Sequence, residues 1–178
     1  MTAFKNTLIV GFSAIGLADL TDMEKYYIQN TWNFKVHDTH IGTDIDIANV
    51  TRCTFRAFID TSTGRAKLVV ASTEKREQLR AESTGDLEVL DNPTSREQLR
   101  GLTSRHLVFI TDFDLLRGFD YRCETGINLF IASKVTSQRQ LLQALGRVGR
   151  YTDDQFARFA DTALQGELYD TGHEIERS

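Results

Sequence analysis

Several things this chain lacks narrow what it can be. Only one proline, Pro93, occurs in 178 residues, so a Pro-rich linker between domains is excluded, and no low-complexity tract stands in for one. Two cysteines, Cys53 and Cys123, are too few for a disulfide framework or a four-thiolate zinc site. A reducing, intracellular setting, cytoplasmic or nuclear, is therefore expected. The longest apolar stretches, such as Leu107-Val108-Phe109-Ile110, fall far short of the roughly 20 residues that span a bilayer, and no membrane partner is expected. Lys5 and the short apolar run Thr7 to Phe12 do not continue into a signal-peptide layout. Excess positive charge is absent too: 21 Lys+Arg against 25 Asp+Glu give a net charge of −4, which excludes a generally basic nucleic-acid-coating protein but not a local basic patch. No Gly-x-x-x-x-Gly-Lys-Ser/Thr phosphate loop occurs. No apolar strand runs into Asp-Glu, and no Gly-x-Ser-x-Gly elbow or Cys–His neighbourhood nominates a nucleophile.

What is present is an alternation of short apolar runs and helix signals. Thr7 to Val10 reads as a strand running into the turn Gly11 to Gly16, and residues 18–50 show little periodicity. Cys53 to Ile59 alternates like a strand, and Lys67 to Ala71 has the unbroken apolarity of a buried one. Ser72-Thr73 starts a helix through about Glu82, and Asn92-Pro93-Thr94-Ser95 opens another with Ser95 as its cap. His106 to Thr111 and Ile127 to Ala132 are further buried strands. Ser137 caps a helix carrying Leu141, Leu142 and Leu145, and Phe156, Phe159 and Ala160 have the spacing of a last amphipathic helix from Asp154 to Leu164. The pentapeptide Arg-Glu-Gln-Leu-Arg, at 76–80 and 96–100, reads as two similar helix faces rather than a repeat array. Apolar strands separated by helices predict an α/β fold with a mainly parallel sheet covered on both faces.

Two stretches carry chemistry. The strand ending in Thr111-Asp112 is followed by Arg117-Gly118-Phe119-Asp120, and the helix after Ile127–Ala132 ends in Gln143-Ala144-Leu145-Gly146-Arg147-Val148-Gly149-Arg150. Two arginines three apart, interleaved with glycine, suit phosphate oxygens, since the guanidinium is a permanently charged planar fork and glycine admits close backbone approach. By the rule that ligands sit at the carboxyl ends of strands in open α/β sheets, both stretches are expected there.

Thr111-Asp112-x-x-x-x-Arg117-Gly118-x-Asp120 resembles motif V of superfamily 2 helicases, and Gln143-x-x-Gly146-Arg147-x-Gly149-Arg150 resembles their motif VI. Motif V here has one residue more than usual before its Arg-Gly, and Ala144 stands where the family often has Arg. Leu68 to Thr73 resembles motif IV. The resemblance covers residues 52–165 and implies a three-layer α/β/α RecA-like domain, the second lobe of such an enzyme, over 51–178, with 1–50 as the end of a first lobe or the connection between lobes.

Carried over position by position, the resemblance implies that Arg150 is an arginine finger and Arg147 its companion on the γ-phosphate. It places Gln143, Gly146, Gly118 and Asp120 at the nucleotide, and Thr111, Ser72 and Thr73 on the nucleic-acid backbone. ATP and Mg²⁺ would be held only with a first RecA-like lobe, in cis or in trans, and the partner would be single-stranded RNA or DNA. Alone, the chain is expected to be inactive as an ATP hydrolase. An alternative is a catalytically incomplete, helicase-like structural or binding subunit of a larger assembly, with Phe4, Tyr26, Tyr27 and Trp32 as partner contacts. A third reading, an unrelated α/β domain with an accidental glycine-arginine pattern, is separable by sheet order.

Plainer roles stand beside each assignment. Arg147 and Arg150 would also suit a helix C-terminus, Asp120 an ion pair with Arg117 or Arg122, and Thr111 a simple strand end. The segment Gly11-Phe12-Ser13-Ala14-Ile15-Gly16-Leu17-Ala18 reads as a motif III-like Ser-Ala-Thr with Ile15 for Thr, as a plain strand–turn, or as a degenerate phosphate loop lacking its Lys. Asp112 or Asp114 after the strand would suit a magnesium ion only with a phosphate loop beside it. His37, Asp38, His40, Asp44 and Asp46 read as a solvated loop rather than a zinc site.

Overall fold

The computed structural model describes residues 22–31, 50–83, 85–116, 120–136, 138–150 and 155–164. The chain divides into two compact units, Met1–Thr43 and Asp44–Ser178. In the first, the described residues form one helix, α1 (Asp22–Thr31), with Asp22 and Glu24 in its first turn. Acidic side chains there complement the helix dipole. The expected strand at Thr7–Val10, the Gly11–Ala18 segment and the His37–Asp46 cluster lie outside the described residues.

The second unit is built on a six-stranded sheet in which every pairing is parallel. Its strands are β1 (Thr51–Cys53), β2 (Ala66–Val70), β3 (Glu88–Asp91), β4 (His106–Ile110), β5 (Ile127–Ile131) and β6 (Phe156–Asp161), in the order β1-β6-β5-β2-β4-β3. The helices α2 (Phe55–Thr61), α3 (Thr73–Glu82), α4 (Arg96–Arg100) and α5 (Gln138–Leu145), with a 3₁₀ turn at Phe113–Leu116, make the crossovers. Parallel strands joined through crossovers keep a right-handed connection, which decides each helix's face. The connections β1→β2 and β2→β3 run toward the β3 edge. Their helices α2 and α3 cover one face, burying Phe55, Phe58 and Leu79 against Val69, Leu107, Phe109, Phe130 and Phe159. The remaining connections run back toward β1. Accordingly α4, the 3₁₀ turn and α5 cover the other face, with Leu99, Leu116, Leu141 and Leu145 against Leu68, Val70, Val108, Ile110, Leu129 and Ile131. The result is the expected three-layer α/β/α, RecA-like architecture. Its order differs from the flavodoxin-like 2-1-3-4-5 winding.

All residues of β2 and β5 are buried, because both faces are covered. Two charged or polar residues inside this core find partners. Lys67 donates to the carbonyls of Arg65 and Ser104 at 3.0 and 3.3 Å, and burial pushes its ammonium pKa down. Asn128 donates to Ser62 Oγ at 3.0 Å and accepts from Arg65 at 3.3 Å. Ser72 caps α3 through Lys75 N at 3.2 Å, and Ser95 forms a full capping box with Gln98 at the start of α4. The Arg-Glu-Gln-Leu-Arg echo places Leu79 and Leu99 in the two opposite core layers.

Two local expectations are corrected. The strand expected at 53–59 stops at Cys53, because Thr54 Oγ1 accepts from Ala57 N at 3.3 Å and starts α2. Phe55 and Phe58, three apart, then share one helix face. The helix expected at 154–164 is strand β6: Phe159 and Ala160 enter opposite core layers, as neighbours on a strand do. Strand β3, with charged ends, went unpredicted. Ser137, the expected cap of α5, lies outside the described residues.

Candidate functional site

The candidate residues fall into two groups at different places on the sheet. The first lies along its carboxyl edge. The connection after β2 leaves to one face while those after its neighbours β5 and β4 leave to the other, so a crevice opens at the end of β2. Around it four side chains join in pairs. Ser72 N donates to Ser133 Oγ at 2.9 Å, and the two hydroxyls lie 3.5 Å apart. Thr111 N donates to Asn92 Oδ1 at 2.8 Å, and Asn92 Nδ2 donates to Thr111 Oγ1 at 2.7 Å. Thr73, exposed, is the first residue of α3. Asp112 Oδ1 accepts from Asp114 N at 2.9 Å, an Asx-type turn that starts the 3₁₀ segment.

The second group lies at the end of α5. A helix that follows a strand in a parallel sheet runs back toward the amino edge, and the contacts here agree. Arg158, three residues into β6, donates to the carbonyls of Leu145 and Val148 at 3.0 and 3.2 Å, closing the C-terminus of α5. Gly149 has φ +70°, and a Cβ on it would fall 2.4 Å from the ring of Phe156, the first residue of β6. The glycine between the two arginines is therefore needed for both its dihedral and its closeness to that ring. The expectation that 143–150 sits at the carboxyl ends of the strands is thus corrected: of the residues assigned by the resemblance, Thr111, Ser72 and Thr73 lie there, whereas Arg147 and Arg150 do not.

The arginine pair is divided by its surroundings. Arg147 is buried, 8 % exposed, and its Nε donates to the carbonyl of Gln143 at 3.1 Å. Burial above all, and then the charge of Arg150, lower its pKa, while Tyr121 and Asp120 oppose that shift. Arg150 is exposed, and its Nη1 lies 3.5 Å from Asp120 Oδ1. Asp120 also meets Arg122 Nε at 3.3 Å. Tyr121 beside it is buried, and its phenol is held up at about 12 by burial, against the pull of Arg147. Asp120, Arg147 and Arg150 are therefore brought together, with Gly146 half-buried in the same turn and Gln143 contributing its carbonyl. Gly118 and Arg117 lie outside the described residues.

The plainer roles are partly realised as well: Arg147 does bond a helix end, and Asp120 does pair with Arg122. Sequence reasoning missed Asn92 and Ser133. Neither carries a local signal, and only the pairing of β3 with β4 and of β5 with β2 brings Asn92 beside Thr111 and Ser133 beside Ser72. Among the described residues no group of three or more His, Cys, Asp or Glu is placed to hold a metal ion, and no helix is long and apolar enough to cross a membrane.

No protein-family model matches the chain, and no curated protein matches it in sequence.

Proposed function

We propose that this chain serves as the second RecA-like lobe of a nucleic-acid-dependent ATPase. One observation carries the reading: Asp120 and Arg150, 30 residues apart and each from one of the two helicase-like stretches, meet at 3.5 Å. In this role Arg150, exposed and on a glycine-hinged turn, is the finger that stabilises charge on the transferring phosphoryl group. Arg147, anchored on the Gln143 carbonyl, is its companion and holds the turn. Asp120, Gly146, Gly118 and Gln143 frame the nucleotide. Thr111, Ser72 and Thr73 face the backbone of single-stranded RNA or DNA. A first lobe, in cis or in trans, supplies the phosphate loop and the Mg²⁺ ligands that this sequence lacks. Mg²⁺, when bound there with ATP, neutralises charge on the phosphates.

The purified chain then hydrolyses no ATP, and it binds a labelled single strand with an affinity that falls steeply as salt rises. ATP turnover by the pure chain, abolished in Arg150→Ala, contradicts the proposal. A second reading, a helicase-like binding or scaffold subunit without catalysis, is favoured by one observation: Arg147 is committed to closing its own helix. It predicts no single-strand binding at any salt concentration.

A further inference from the structure

We infer that Asn92 is a positioning residue that turns the hydroxyl of Thr111 outward as a hydrogen-bond donor for a phosphate oxygen of the bound strand. The inference rests on the second-lobe reading and extends it to a residue outside the helicase-like motifs. The geometry fixes each atom's role. A backbone N–H only donates, so Thr111 N at 2.8 Å must face Asn92 Oδ1, which settles the orientation of the amide. Its Nδ2 therefore donates to Thr111 Oγ1 at 2.7 Å. A hydroxyl that accepts this bond has one proton left to give. Thr111 Oγ1 makes no other hydrogen bond among the described residues, and the side chain is half-buried at the carboxyl edge. The proton is thus directed away from Asn92, toward the edge.

Asn92 is held for this task at some conformational cost. It is the one described non-glycine residue with positive φ, +41°, a region that asparagine tolerates better than most residues and that marks stored strain. Its own N–H bonds Phe109 O at 2.8 Å, so the end of β3 is fixed to β4 at the level where Thr111 leaves the sheet. Ser72 repeats the arrangement in weaker form. Its Oγ accepts from Lys75 N at 3.2 Å and lies 3.5 Å from Ser133 Oγ. Both edge hydroxyls are approached by donors from within the protein.

The test uses the full chain, fluorescein-labelled oligouridylate and oligothymidylate, and anisotropy titrations at several salt concentrations. Asn92→Gly keeps the left-handed backbone and removes only the amide; circular dichroism checks that it melts as the parent does. Asn92→Asp keeps the acceptor for Thr111 N–H but replaces the donor by an acceptor, which turns the hydroxyl inward. Asn92→Gly is expected to weaken binding about fivefold, the worth of one well-directed hydrogen bond. The slope of log affinity against log salt should stay unchanged, since no phosphate-neutralising charge is lost. Asn92→Asp should weaken binding further. In a Thr111→Val background Asn92→Gly should have no further effect, because it acts through that hydroxyl.

Parent-like binding by Asn92→Gly, or the same loss in the Thr111→Val background, overturns the inference. If Thr111→Val weakens binding and Asn92→Gly does not, the inference fails and the second-lobe reading stands. If the parent chain binds neither oligonucleotide, both fall together.

Discussion

Gly149 and Gly64 both have positive φ, +70° and +81°, yet their surroundings differ. A Cβ on Gly149 would meet the Phe156 ring at 2.4 Å, whereas nothing lies within 4 Å of one on Gly64. Gly64→Ala should therefore cost only the backbone penalty, about 1 kcal/mol. Gly149→Ala should cost about 2–4 kcal/mol, because Phe156 must also move off the turn. Urea unfolding of both variants checks the difference. The arginines invite a similar contrast. Truncating the buried Arg147 removes its packed stem and its bond to the α5 carbonyl, and Arg147→Ala should lose about 1–2 kcal/mol of stability. Arg150→Ala should leave stability within about 0.5 kcal/mol of the parent, since its contact with Asp120 is solvent-exposed. Equal losses in the two variants would deny the division of roles between them.

At the scale of elements, α3 and β3 are joined by Arg76 and Asp91, whose guanidinium and carboxylate meet through two bonds, one at 2.7 Å. The hydrogen bonds from Arg76 hold the Asp91 carboxyl below its ordinary range. A depressed carboxylate contributes stability that is complete above its unfolded value, near pH 4, and is lost as pH falls through the lower folded value. Asp91→Asn should therefore flatten the fall in stability on acidification below about pH 4, seen in acid titrations followed by circular dichroism. At the start of α4, Ser95→Ala should cost about 1 kcal/mol by opening the capping box, measured by thermal melting.

The elements also show what was legible. Strands β2, β4 and β5 are readable because burial on both faces leaves an unbroken apolar run. The caps Ser72 and Ser95 are readable because a hydroxyl before a helix has a local job. Strand β6 is misread because Phe156, Phe159 and Ala160 fit a helical period, while their burial is decided by a sheet that the window does not contain. The segment after Thr54 is misread for the converse reason: alternation over a few residues suits a strand, but a local cap starts a helix. Of the candidate site, Arg147 and Arg150 are visible as a glycine-spaced arginine pair, and Thr111 only through the resemblance to motif V. Asn92 is not, because its meaning lies in the pairing of β3 with β4.

At the scale of the molecule, the order β1-β6-β5-β2-β4-β3 and the sorting of helices onto two faces put a hydroxyl-bearing edge above the sheet and an arginine-bearing turn at the far end of α5. In the proposed second-lobe role the first would take a nucleic-acid backbone and the second a phosphate chain, with the catalytic site completed only against a partner lobe. The most direct measurement is ATP hydrolysis by the chain in its native assembly, isolated from its source, with and without a single strand, comparing the parent with Arg150→Ala. The proposed second-lobe role predicts turnover stimulated by the strand and a loss of about a thousandfold in the variant, the scale of an arginine finger. Stimulated turnover that survives Arg150→Ala unchanged would contradict it.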